Sequence, residues 1–365
     1  VTQAASLEIE ELRLPESLDS PAAADFLAAV EVVRQERLDT WGNDDLAYTP
    51  DEVLVMASDP YERHVYLIAK LDGVVRGQSE IILPLEDNQH LAWVWLSTDP
   101  GTRGEGIGKA LLLASEAYIK AQGRTTVVVE TSHPADTVAE AGAATLKPAT
   151  GVGELPVSSR EVRFAQNAGY TLEQVERFSG CDLPVDPEAL SSHLRIAESA
   201  AAADYRLHTW TDRCPEEWVD DFAWLESRMS TDAPHAGVDL DEEPWDADRV
   251  REGESIALAQ GRTTLVTAVE HLATGKLAGF TVITVLGHRS DVVFQDDTLV
   301  IREHRGHKLG LWVKVANLAR IAAEQPAARR IYTWNAAENE HMLAVNVSLG
   351  FVPTGFTGQW QKVLD

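Results

Sequence analysis

Two short glycine-bearing segments hold the residues best suited to chemistry. The first reads Arg103-Gly104-Glu105-Gly106-Ile107-Gly108 and the second Arg305-Gly306-His307-Lys308-Leu309-Gly310. Each stands just ahead of an apolar run with helical period, Lys109 to Ala121 and Leu311 to Ala323. Glycine lets the main chain come close to a ligand, and the first turn of a helix offers unpaired N–H groups with partial positive charge. The chemistry predicted is the grip of a phosphate or diphosphate. Neither a Rossmann fingerprint nor a P-loop is spelled, and a hairpin precedes the loop where a Rossmann unit has a parallel crossover. The second segment has Lys308 where the first has Gly106. A lysine takes a left-handed backbone only at a cost, though its ammonium could reach phosphate.

The elements that position these loops occur twice. Arg305 follows Arg103 by 202 positions, and Gly310 follows Gly108 by the same interval. Ahead of the first loop, His64 to Lys70 and Val74 to Leu83 read as two strands around a turn. Thr263 to Glu270 and Leu277 to Val285 repeat them. A strand follows each helix, Thr125 to Glu130 and Arg330 to Trp334. The expected fold is α/β (α+β), two tandem domains that are each a mixed, mainly antiparallel sheet flanked by helices. Residues 1–185 form the first and 204–365 the second, joined by a helix over 186–203 that Pro187 opens. Ser132 to Ser159 reads as a long irregular stretch inside the first domain.

The formal charge of -27, from 31 basic and 58 acidic residues, argues against nucleic acid or an anionic membrane as partner and suits a cationic small molecule. No apolar run approaches the roughly 20 residues that span a bilayer. The N-terminus shows no secretory pattern, and Cys181 and Cys214 are too few for a disulfide scaffold, so a reducing cytoplasm is the expected setting. No Cys/His spacing suggests zinc, and no Gly-x-Ser-x-Gly or Cys–His arrangement suggests a covalent nucleophile.

Arg103-x-x-Gly106-x-Gly108 resembles the pyrophosphate-binding signature Gln/Arg-x-x-Gly-x-Gly/Ala of the GNAT superfamily of acyl-CoA N-acyltransferases. That resemblance implies acetyl-CoA as cofactor, bound through Arg103, Gly104, Gly106, Ile107 and Gly108, with Leu96 and Thr98 on the strand facing pantetheine. By position it implies Arg305, Gly306, Lys308 and Gly310, with Thr298 and Val300, in the second copy. Thr333 to Met342 and Val345 to Phe351 resemble the family's distal segment, which implies that Asn339 bonds the CoA arm. The first copy's distal segment, Phe164 to Tyr170, lacks the paired asparagine. The tandem layout is similar to that of actinobacterial two-domain GNAT proteins, among them mycothiol synthase.

The implied activity is N-acetylation of a primary amine on a small molecule by direct attack. The alternatives are acetylation of a cysteinyl amine, as in mycothiol synthesis, and a non-catalytic acyl-CoA-binding module. Amine acylation needs a base and often an acid. Asp297 and Glu130 are the candidate bases. Asn346 fills the slot where many GNAT enzymes carry an acidic tyrosine, and the first copy has Ala165 there. His304 and His307 flank the second loop, within reach of a phosphate.

Overall fold

The computed structural model describes residues 6–138 and 144–365. The first half of the chain runs β1 (Leu7–Glu11), α1 (Ala24–Trp41), α2 (Pro50–Met56), β2 (Glu62–Leu71), β3 (Val74–Pro84), β4 (Leu91–Thr98), α3 (Ile107–Ala121) and β5 (Thr126–Pro134). It continues through α4 (Ala135–Val138), a small ribbon of β6 (Thr145–Leu146) and β7 (Leu155–Pro156), then α5 (Arg160–Asn167) and β8 (Thr171–Asp182). After α6 (Pro187–Ala201) the order repeats: β9 (Tyr205–Thr211), α7 (Val219–Asp232), α8 (Ala247–Ala259), β10 (Thr263–His271) and β11 (Lys276–Val285). The chain closes with β12 (Val292–Val300), α9 (Leu309–Glu324), β13 (Arg330–Ala336), α10 (Glu340–Ser348) and β14 (Val352–Val363). The expected strands and helices are present, each within a few residues of its expected bounds. Residues 139–143, part of the stretch expected to be irregular, lie outside the described residues.

Local chemistry explains the helix starts. Thr49 and Glu52 form a reciprocal capping box ahead of α2, with Pro50 in its first turn. Asp186 caps α6, and Pro187 opens it.

A single sheet of twelve strands results, in the order β1-β2-β3-β4-β5-β14-β8-β13-β12-β11-β10-β9. The two central strands are exchanged. β14, the end of the chain, pairs antiparallel with β5 of the first half from Gly355↔Pro134 to Val363↔Thr126. β8 pairs with β13 of the second half, from Arg330↔Asp182 to Ala336↔Glu176, and with β14 on its other edge. We propose 1–185, 186–203 and 204–365 as the division of the repeat along the chain; in space, each half is completed by the other.

Side chains reinforce the exchange. Trp360 of β14 is fully buried in the core beneath α3 and donates its indole N–H to Thr131 Oγ1 at 2.8 Å. An indole so placed contributes about 2 to 3 kcal/mol by burial. Helix α6 buries Ala197 and Ala201 in the core of the second half, together with Cys181 and Leu183, so it packs as well as connects. Arg262 meets the buried Glu52 at 3.2 Å and Arg249 meets Asp87 at 2.7 Å, both pairs bridging the halves.

Because the halves share β-ladders, cutting the backbone between Asp182 and Pro187 should leave both fragments together. We expect a nicked protein with an inserted protease site to elute as one species in size-exclusion chromatography. Separation into two folded fragments under native conditions would contradict the exchange.

Candidate active site

The first cleft opens where β4 and β5 part. They pair in parallel from Leu91↔Thr126 to Val94↔Val129 and then diverge, while β4 stays paired to β3 as far as Thr98↔Gly77. Gly77 is required here, because a Cβ would lie 2.7 Å from Ile107 Cγ2 and 2.8 Å from Leu111 Cδ1. Its absence lets α3 settle onto the sheet beside the splay. Between β4 and α3 the chain makes a 3₁₀ turn, Pro100–Thr102, and reaches the helix through Gly104 and Gly106, both with positive φ. No side chain caps the start of α3, and nothing lies within 4 Å of where a Cβ on Gly104 or Gly106 would sit. The first-turn amides are therefore bare, as an anion site requires. Arg103 is held by Asp39 of α1 at 2.6 Å.

These parts enclose a cavity of about 450 Å³. Leu96, Thr98, Arg103, Gly104, Gly106, Ile107 and Gly108, the positions singled out in the first half of the sequence, all line it. Phe164 and Tyr170 form one wall, and Glu36 and Arg37 of α1 another. The residues present thus fit a cofactor that joins an anionic diphosphate to an extended arm.

Glu130 stands on β5 in the same cavity. Burial pushes its carboxyl up to about 7; Glu176 adds to the rise, while Arg37 and a hydrogen bond oppose it. The hydrogen bond comes from Gln359 Nε2 at 2.9 Å, a side chain of the exchanged strand β14. Gln359 Nε2 also reaches Glu176 Oε2 on β8 at 3.4 Å. Tyr170, adjacent to this wall, donates its hydroxyl to Glu116 at 2.9 Å.

The second cleft has the same backbone plan with different side chains. β12 and β13 pair only from Val292↔Arg330 to Phe294↔Tyr332 before separating. Thr298 shares a hydroxyl contact of 2.7 Å with Thr281. The Arg305 side chain folds back, its Nε donating to Val300 O at 3.0 Å and Nη2 to Asp232 O at 3.2 Å. Gly306 has φ +90 with open space at its Cβ, and Gly310 is also uncrowded at that distance apart from Val300 and Met342. Lys308 takes the left-handed place of Gly106, with φ +59 and ψ +21. Asn339 caps α10, its Oδ1 accepting from Met342 N at 3.3 Å. His304 Nδ1 meets the Tyr205 hydroxyl at 2.9 Å, and the His307 ring also packs on Tyr205.

The three candidate catalytic residues are not gathered in one place. Glu130 belongs to the first cleft, whereas Asp297 and Asn346 belong to the second half. Asp297 is an exposed residue; desolvation by the surrounding protein raises its carboxyl, and its charge raises Glu226 and Asp296 in turn. Asn346 is 2% exposed; its Nδ2 donates to Asn335 Oδ1 at 2.6 Å and its Oδ1 has no partner.

Four residues escaped the sequence reading. Arg37, Glu176 and Gln359 reach Glu130 only through the fold. Lys314, by contrast, was findable, since the 202-residue repeat sets it on Leu112 within an apolar helix face. It is 1% exposed, makes no hydrogen bond or ion pair among the described residues, and burial pulls its ammonium down to about 7.

With this geometry in view, the comparisons are specific. Residues 30–141 match the model of the Acetyltransferase (GNAT) family. A tandem GNAT protein from the clavulanic acid biosynthesis pathway superposes with a TM-score of 0.72 at 24% identity, covering 98% of both chains. Residues 30–141 thus resemble a GNAT domain, and the chain as a whole shares the fold of that tandem protein. A GCN5-related N-acetyltransferase from Sphaerobacter thermophilus is also similar, with a TM-score of 0.58 and 14% identity over 98% of this chain and 95% of that one. No curated protein sequence matches the chain. The chain accordingly has a tandem GNAT-like fold throughout, with the acetyltransferase family match on its first copy. Among the described residues, no helix is long and apolar enough to cross a membrane, and no group of three or more His, Cys, Asp or Glu could hold a metal.

Two stability tests follow from the second half. A left-handed Lys308 costs about 1 to 2 kcal/mol, partly offset in Lys308→Gly by the freer unfolded chain. That variant should gain about 1 kcal/mol in denaturant unfolding; a loss would show that the lysine side chain is stabilising. Lys314 titrates near 10.5 unfolded and about 7 folded. Between those values the unfolded chain holds the extra proton, so stability should rise as pH rises from 7 to 10.5. Lys314→Met should be more stable at pH 7, and its melting temperature should climb less across that window than that of the parent.

Proposed function

We propose that the first cleft transfers an acetyl group from acetyl-CoA to the primary amine of a small molecule, with Glu130 as base. The observation that carries this reading is one cavity joining the bare amides before α3 to a carboxyl poised near pH 7. Arg103 and the amides of Gly104 through Gly108 would hold the diphosphate, and the unpaired edge of β4 from Trp95 to Thr98 would align the arm, with Leu96 and Thr98 on it. The bound thioester supplies an activated carbonyl. Glu130 removes the ammonium proton, and the freed amine attacks that carbonyl directly.

No tyrosine fills the acid slot, and the Tyr170 proton is committed to Glu116. Water at the cleft mouth is the remaining proton source for a thiolate of ordinary basicity. The charge of -27 over the whole chain favours a cationic acceptor. Two free, buried cysteines agree with a cytoplasmic setting. In the second cleft, Thr298, Val300, Gly306, Lys308 and Gly310 would provide the parallel cofactor contacts. Asp297 is the base available there. Asn346 and Asn339 are spent on Asn335 and on the α10 cap, which leaves them a supporting role.

Thiol release from acetyl-CoA, followed across a panel of small primary amines, tests this. Glu130→Gln should lower the rate by about 10² to 10⁴ while leaving acetyl-CoA binding by calorimetry intact, and the parent rate should rise with pH through about 7. Gly106→Val should abolish the rise in melting temperature caused by acetyl-CoA. Full activity in Glu130→Gln, or no binding of millimolar acetyl-CoA by the parent, would refute the assignment.

A further inference from the structure

Lys314 lies where the second half repeats the wall of the first cavity. Its counterpart Leu112 lines that cavity, as do Ala165 and Tyr170, the counterparts of Asn346 and Phe351. In the second half these walls meet. The Lys314 amine stands 5.9 Å from the centre of the Phe351 ring, and Phe351 N donates to Asn346 O at 3.0 Å. An amine has therefore replaced an apolar side chain, and a primary amide a methyl group, behind the same splayed strands and the same glycine turn. Lys314, 1% exposed, makes no hydrogen bond or ion pair among the described residues, and Asn346 Oδ1 is buried without a donor.

We infer that Lys314 is an acylation site, its side-chain amine taking an acyl group from a thioester that enters the second cleft. Nζ forms a bond to the thioester carbonyl carbon, the C–S bond breaks, and the sulfur leaves with the proton that Nζ gives up. The product is a free thiol and a neutral Nε-acyl lysine. Burial favours the product, because an amide carries no charge to desolvate and its N–H can meet an orphaned acceptor such as Asn346 Oδ1. The depressed basicity of Lys314 leaves a large unprotonated fraction above pH 7, which is the nucleophilic form. Lys109, which lines the first cavity near the helix start, is by contrast exposed.

This rests on the acyl-CoA reading of the fold, so two probes are used. The full chain is incubated with acetyl-CoA and, separately, with S-acetyl-N-acetylcysteamine, a thioester that lacks the diphosphate. Intact mass and peptide mapping then locate the label. We expect one acetyl group on Lys314 with a rate that rises through pH 7 and levels off. Lys314→Met, which restores an apolar side chain, and Lys314→Arg should both lack it. Label from the short thioester but not from acetyl-CoA would support the reactive lysine while removing CoA from the second cleft. Label on exposed lysines with Lys314 untouched by either probe at pH 8 would overturn the inference, even where calorimetry shows acetyl-CoA bound in the first cleft.

Discussion

The backbone ladder between β14 and its two neighbours is the constraint on which the molecule rests. Twelve consecutive residues at the end of the chain supply hydrogen-bond partners to β5 on one edge and to β8 on the other. Without them, the first half would expose an unpaired central edge, an open template for association. The same strand delivers Trp360 to the core under α3 and Gln359 to the carboxylates of Glu130 and Glu176. Packing, closure of the sheet and the protonation of the candidate base thus share one element, and the first cleft is built from both halves.

Around that shared centre the clefts have diverged through a few side chains on a common backbone. The glycine turn survives twice, down to the left-handed residue before the helix, although a lysine must adopt that conformation in the second copy. In the first copy Arg103 is steadied by Asp39 and borders the cavity; in the second, Arg305 turns back onto Val300 and Asp232. Apolar Leu112 and Ala165 face polar counterparts in Lys314 and Asn346. A fold tolerates such changes because the sheet and helix packing behind them is independent of what lines the cleft.

Much of this was legible in the chain. Hairpin turns, helical period and the repeated spacing of Arg103 and Arg305 placed the paired strands, the loops and the helices that follow. The seven first-copy cofactor positions come together because they are contiguous on one strand, turn and helix, where local rules suffice. The exchange of β8 and β14 was not legible. These strands are repeats of one another, with similar length and pattern, and nothing local distinguishes the two sheet positions open to each. Glu130 could be nominated as a strand-end carboxylate, but its partners Arg37, Glu176 and Gln359 come from three distant segments. Asn339 was nominated as a CoA contact and Asn346 for its place in the tyrosine slot; side-chain amides also serve caps and internal bonds, so the cap that Asn339 makes and the bond from Asn346 to Asn335 were not legible.

The crossed strands also suggest how such a chain could arise. Two identical single-copy ancestors, each lending its final strand to the other, would form a two-fold symmetric pair whose survival depended on concentration. Joining them through a helix such as α6 makes the encounter intramolecular and permanent. Once partnership no longer had to be symmetric, a substitution in one copy ceased to be imposed on its twin, which left one cleft free to change chemistry while the other kept its own.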